Sequence, residues 1–347
     1  MACLNSGPSA FDPLRTFAFG GNIPTTVRLK TGSAIEHKGD AMRRILAAFV
    51  AIVAFAWTSQ ALAWGDSGHR TVCEIAFRNL TSVARAEVTR LLQAHPAILG
   101  ANPLNAEYGW ACTYPDHPAS SGPGRRSPEH FANYPRNLLA VTSASGCGAA
   151  PVCVVSAIAA DVAILQSSAA TDQQRAAALV YLGHWFGDIH QPLHSSFADD
   201  QGGNQVQSSG LCTFALHSTW DTCILQSRAL PVRSVEAVRA LAATWSGQVT
   251  DVERAAWLSS KPWQWSAESY AVTRAPQVGY CVIVQASCQY AATQMTWAQG
   301  QPQRSVPIDA AYMDWAMPII QRRITQAGIR LAHHLNLALD PAYRATP

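Results

Sequence analysis

The string Gly183-His184-Trp185-Phe186-Gly187-Asp188-Ile189-His190-Gln191-Pro192-Leu193-His194 constrains this chain more than any other stretch. It follows an Ala-rich run from Asp172 to Val180, which predicts a helix that starts near Asp172 and is stopped by Pro192. Inside that helix His184 and Asp188 are four residues apart, so both side chains project from one face. His194 falls just beyond the helix end. Imidazole nitrogen and carboxylate oxygen are the donors that a hydrolytic zinc ion takes. An ordinary buried histidine bonded to an aspartate has the same pattern, so the reading turns on partners elsewhere in the chain.

The N-terminus decides which compartment those partners meet in. Met42-Arg43-Arg44 is a short basic opening, Ile45 to Trp57 is an apolar run, and Ala61-Leu62-Ala63 is a small-x-small cleavage site. Together they predict a secretory signal peptide over 42–63, whose apolar part is short for a membrane span. Residues 1–41 precede it and are rich in Gly, Pro and Thr. They read either as a mis-assigned start, with translation beginning at Met42, or as a disordered leader. The expected product is a secreted or periplasmic protein of residues 64–347 with no membrane anchor after cleavage.

Six of the 25 Lys+Arg and three of the 22 Asp+Glu lie before Trp64, which leaves 19 of each. A formally neutral chain argues against a broad cationic groove for duplex DNA, so the grip on phosphate is expected to be concentrated at one site. Eight of the nine cysteines remain, an even number in an exported chain, which favours disulfides. Cys147 with Cys153 and Cys281 with Cys288 would close short loops, and Cys212 with Cys223 and Cys73 with Cys112 are the remaining pairs to try.

Apolar residues at helical spacing predict a helix-like segment from Trp64 through about His95, and Pro96 to about Arg126 reads as loop. An extended piece covers Glu129 to Tyr134, helices are predicted near Val154–Ser167 and from Leu216, and a long one runs over about Asp309–Leu339. Strand signals are few. The fold expected is all-α, one mostly helical domain stapled by disulfides.

Of the ten histidines after the signal, His69, His130, His184, His194 and His217 sit beside acids or glycines at ligand spacings. His217 and Asp221 repeat the interval of four. His95, His117, His190, His333 and His334 read as surface or ordinary core residues, with His190 on the side of its helix away from His184. Trp64 adds a different donor. Cleavage after Ala63 would free its α-amine, whose pKa of about 8 lets a metal displace the proton, and the amine and carbonyl together would chelate one cation. The plainer alternative is that Trp64 is the first apolar residue of the fold.

Trp64…His69, Tyr114-Pro115-Asp116, His130-Phe131, His184…Asp188…His194, Gly202-Gly203-Asn204 and His217…Asp221 occur in that order. This set resembles the single-strand-specific zinc nucleases of the S-one/P-one type, which are related to zinc-dependent phospholipase C. The resemblance implies three Zn2+ per chain. Asp116, His130, His184 and Asp188 would hold the first; His194, His217 and Asp221 the second; Trp64, His69 and a shared Asp188 the third. It also implies that Asp116 is catalytic, that Phe131, Asn133 and Asn204 contact substrate, and that Cys147 pairs with Cys153. The implied partners are single-stranded DNA and RNA and nucleotides, cut to 5′-phosphorylated products by a monomer, with 3′-nucleotidase activity open. Two positions depart from the family. Tyr114 stands where tryptophan is usual, and Asn133 stands where fungal members carry an acid, which leaves base preference open. The alternatives are a secreted zinc-dependent phospholipase C and a non-catalytic secreted zinc- or nucleotide-binding protein.

Overall fold

The computed structural model describes residues 64–96, 107–118, 124–285, 287–289 and 305–344. Contacts divide the chain into Met1–Ser59 and Gln60–Pro347, and every described residue belongs to the second unit. The leader and signal expected over 1–63 therefore lie outside the described residues.

The main helices are α1 (Asp66–Arg78), α2 (Ser82–Ala94), α3 (Val154–Gln166), α4 (Asp172–His190), α5 (Val235–Gly247), α6 (Asp251–Leu258), α7 (Pro262–Thr273) and α8 (Ala310–Leu339). The expected all-α fold is what forms. Helix α4 starts at Asp172, as the sequence suggests, with Thr171 as its N-cap. Thr171 accepts a hydrogen bond from Gln174 N at 3.3 Å, and Gln174 Oε1 accepts from Thr171 N at 2.9 Å. This reciprocal cap satisfies two end donors, and Asp172 in the first turn suits the helix dipole.

From Ala178 to His190 every side chain of α4 is buried, so this stretch has no solvent face and forms the core of the domain. It packs against α1, α3 and α8, and α8 crosses back over α1. Close approach is set by small residues. A Cβ on Gly183 would lie 2.8 Å from Cys73 Sγ, so only glycine lets α4 seat against the Cys73–Cys112 bridge.

The single segment expected from Trp64 to His95 is two helices. Asn79 and Leu80 break it, and Thr81 Oγ accepts from Ala84 N at 3.1 Å to start α2. The break is held from α8, where Asn336 Oδ1 accepts from Thr81 N at 2.9 Å and its amide donates to Asn79 O at 3.2 Å. A partner so far away in the chain leaves no trace in local periodicity. The expected loop from Pro96 to Arg126 also contains a one-turn helix, Tyr108–Ala111, and a 3-10 turn, Tyr114–Asp116.

The strands are short and paired two by two. β1 (Ala132–Tyr134) runs parallel to β2 (Ser195–Phe197), which ties the segment after His130 to the segment after His194. β3 (Gln207–Gly210) runs parallel to β6 (Ser305–Ile308), and β4 (Val282–Val284) with β5 (Ser287–Gln289) makes a hairpin. All four disulfides form: Cys73–Cys112, Cys147–Cys153, Cys212–Cys223 and Cys281–Cys288. Among the described residues no helix is long and apolar enough to cross a membrane.

Candidate metal centre

Eight titratable side chains converge from six places in the chain. α1 supplies His69 and α4 supplies His184 and Asp188. The 3-10 turns Tyr114–Asp116, Ser127–His130 and Pro192–His194 end on Asp116, His130 and His194. His217 and Asp221 come from a helical segment that opens at Leu216 and winds as a π turn over Thr219–Cys223. All eight are buried.

They form three groups, within each of which the ligand atoms lie within 4.8 Å of one another: Asp116, His130 and His184; His194, His217 and Asp221; His69, His184 and Asp188, with His184 common to the first and third. Within the first, His184 Nε2 is 3.1 Å from His130 Nδ1 and 3.7 Å from Asp116 Oδ2. Within the second, His217 Nε2 is 3.0 Å from His194 Nε2 and 3.6 Å from Asp221 Oδ2. Asp188 joins the groups. Its Oδ2 lies 3.2 Å from His130 Nδ1 and 3.4 Å from His184 Nε2, while Oδ1 lies 3.4 Å from His69 Nε2 and 3.5 Å from His194 Nδ1. Donors at 2.0–2.1 Å from a tetrahedral zinc stand about 3.4 Å apart, so these separations fit one ion per group.

The tautomers make the case sharper. His184 Nδ1 donates to Cys112 O at 2.7 Å, His130 Nε2 to Arg125 O at 3.0 Å, and His217 Nδ1 to Gly202 O at 2.7 Å. His194 Nδ1 donates to His130 O at 2.6 Å. With one nitrogen of each ring committed as donor, the other presents a bare lone pair. The 3.1 Å and 3.0 Å nitrogen pairs therefore face lone pair to lone pair. Burial holds the rings neutral: it pulls His130 down, His184 and His194 well down, and His217 down to about 4. No proton is there to bridge them, and a cation between them removes the repulsion.

The carboxylates ask for the same thing. Burial raises Asp116, pushes Asp188 up to about 7 and holds Asp221 well above the usual range. Both oxygens of Asp188, Asp221 Oδ2 and both ring nitrogens of His69 are buried and make no hydrogen bond of ordinary geometry. Buried polar atoms left so are costly, and buried carboxylates without a counter-charge more so. A set of dications would satisfy the carboxylate oxygens and the one nitrogen of His69 that carries a lone pair.

The profile of the S1/P1 Nuclease family matches residues 64–340. This chain belongs to the S1/P1 nuclease family. It is 28% identical over 290 residues to Endonuclease 3 of Arabidopsis thaliana, covering 80% of this chain and 89% of that protein. It is likewise 28% identical over 279 residues to Nuclease S1 of Aspergillus oryzae (strain ATCC 42149 / RIB 40), covering 79% and 91%. Nuclease P1 of Penicillium citrinum is 31% identical over 172 residues, 47% of this chain and 58% of that protein. The chain is thus a nuclease, a phosphodiesterase acting on nucleic acid.

In this S1/P1 nuclease Trp64 is wholly buried, and Gly65 N donates to Asp221 O at 2.9 Å, which brings the residue after Trp64 against the second group. A cavity of about 370 Å³ opens beside the centre, lined by His130, His194 and His217 and by Phe131, Asn133 and Asn204. Phe131 is 38% exposed there, and Asn133 Oδ1 is buried without a hydrogen bond. Asn204 donates from its amide to Gln201 O at 2.8 Å, closing the turn at Gly202-Gly203. A larger groove, about 1010 Å³, lies along α1, α2 and α5 and holds none of the centre's residues, so size alone does not locate the site.

Sequence reasoning passed over several groups that hold this nuclease's centre in shape. Arg125 donates to Asp116 Oδ1 at 3.1 Å while its carbonyl orients His130. Gln191 donates to Asp221 Oδ1 and accepts from Leu193 N. Gln191 sits inside the motif string and was within reach of such reasoning; Arg125 stands in a Gly- and Pro-rich loop with no spacing signal. His190, expected on the side of α4 away from His184, does not line the centre; its ring is buried and bonded to Arg330 at 2.7 Å.

Proposed function

We propose that this chain is an exported, zinc-dependent endonuclease that prefers single-stranded DNA and RNA and leaves 5′-phosphorylated products. The observation that carries this is the pair of imidazole couples meeting lone pair to lone pair around three buried carboxylates. Asp116, His130, His184 and Asp188 would hold one zinc; His194, His217 and Asp221 a second; His69, Asp188 and the Trp64 amine and carbonyl a third, once cleavage bares Trp64. Zinc in these places supplies Lewis acidity that brings a water toward ionisation near neutral pH and offsets phosphate charge.

The chain's own groups do the rest. Asp116, held by Arg125, orients the attacking water and takes its proton. Phe131 at the cavity mouth stacks a base, worth about 1–3 kcal/mol, and Asn133 meets that base's edge. Asn204 steadies the phosphate from its turn. A base stacked beside its own scissile phosphate must leave the duplex, which is the physical ground for single-strand preference.

The test is metal content and turnover on the cleaved, disulfide-bonded chain. Three zincs, with rapid cleavage of single-stranded DNA and RNA and slow cleavage of duplex, are expected; 3′-AMP tests for nucleotidase activity in the same assay. Activity on phosphatidylcholine alone, or stoichiometric zinc with no phosphodiester turnover, would reverse the reading.

A further inference from the structure

Between Asp188 and His194 the chain leaves α4 and turns through Ile189-His190-Gln191-Pro192-Leu193, so this short path sets how far apart two groups of the centre stand. Its carbonyls lie in the last turn of the helix or just beyond it and need donors from elsewhere. The donors come from α7 and α8. Ser269 Oγ donates to Ile189 O at 2.7 Å, Arg323 Nε to His190 O at 3.2 Å, and Thr273 Oγ to Pro192 O at 2.5 Å and Ser195 O at 3.3 Å.

Arg323 is 3% exposed, and every one of its N–H groups is engaged. Nη1 donates to Glu268 and to Gln326 Oε1 at 2.7 Å, and Nη2 donates to Trp265 O at 2.9 Å and Ser269 Oγ at 2.7 Å. It therefore grips the turn twice, directly at His190 and through the hydroxyl that holds Ile189. A buried guanidinium is expensive, and an apolar side chain would join α7 to α8 at less cost. What an apolar side chain cannot do is fix the directions of two successive carbonyls, Ile189 and His190, next to the centre.

We propose that Arg323 and Thr273 are positioning residues that set the distance between Asp188 and His194, and with it the zinc affinity of the His194, His217, Asp221 group. The proposal rests on the zinc reading above. Outer partners that orient metal ligands change affinity by roughly 10- to 100-fold when removed, and that is the size of effect expected. The ammonium of a lysine has no planar fork and cannot replace the guanidinium.

The experiment titrates zinc into the metal-free, exported protein against a chromophoric chelator, with thermal midpoints measured in parallel. Arg323→Met, Arg323→Lys and Thr273→Val are compared with Asn336→Ala, a buried α8 residue that pins the α1–α2 break instead of the turn. Expected are one zinc of three weakened roughly 10- to 100-fold in the first three variants, and a lowered midpoint with unchanged zinc affinities in Asn336→Ala. Wild-type affinities in Arg323→Met and Thr273→Val, restoration by lysine, or an equal zinc loss in Asn336→Ala would each overturn the proposal. Thr273→Val exchanges a hydroxyl for a methyl and keeps the test intact if the arginine variants do not fold. A wild type that takes up no zinc overturns the zinc reading itself, and is distinct from variants that load as well as wild type.

Discussion

A Cβ on Gly187 would sit 2.5 Å from His69 Nδ1 and 2.8 Å from its Cε1, so the hydrogen at this position is what lets the α1 histidine reach Asp188. Gly187→Ala should displace that ring, remove one zinc of three and lower turnover by roughly 10- to 100-fold; metal analysis with a single-strand assay checks it, and full zinc at full rate contradicts it. Away from the centre, burial against Trp265 pulls His334 down to about 4. Its folded pKa lies below its unfolded one, so its neutral form is favoured by folding and stability is lost as pH falls from about 6.5 through 4. Relative to His334→Phe, the wild type should lose about 3 kcal/mol between pH 7 and pH 4 in urea titrations. What was readable at this scale followed from interval. His184 with Asp188 and His217 with Asp221 announce themselves four apart, whereas the carbonyls of Cys112 and Gly202 that fix their tautomers belong to no residue type and leave no mark.

The Cys73–Cys112 bridge joins α1 to the turn that ends in Asp116, four residues from His69 on one side and four from Asp116 on the other. With its ends 39 positions apart in sequence, a chain-entropy argument puts its contribution at about 4 kcal/mol. Replacing both cysteines by serine should lower the unfolding free energy by about that amount and loosen the Cys112 carbonyl from His184. Denaturant curves measure the first and zinc content the second; an unchanged midpoint would count against the bridge as a tether. Elements were legible where a helix-starting acid or a proline marks them, as at Asp172 and Pro192, and illegible where the mark is distant. The α1–α2 break depends on Asn336, and the π turn at Thr219–Cys223 keeps the His217/Asp221 interval while departing from the helix it was expected to be. The chain's general helical character could be read from periodicity; how its helices meet could not.

Residues 64–347 carry 19 Lys+Arg and 19 Asp+Glu, with Lys261 the sole lysine, so the molecule as a whole draws no polyanion. Affinity for single-stranded DNA should then fall with salt only as steeply as two or three phosphate contacts require, a log–log slope of about −2; a much steeper slope would point to a cationic surface beyond the centre. Processing belongs to this scale too. A chain carrying one extra residue before Trp64 should lose the third zinc and most of its activity, and full activity in it would refute a role for the free amine.

The two oxygens of Asp188 meet different rings, Oδ2 those of His130 and His184, Oδ1 those of His69 and His194. An ion held at either oxygen would take the proton's place on that carboxylate, so one side chain would serve two ions. Asp188→Asn should accordingly leave a single zinc, the one held by His194, His217 and Asp221. A calorimetric titration of that variant counts the ions, and a count of three would refute the sharing.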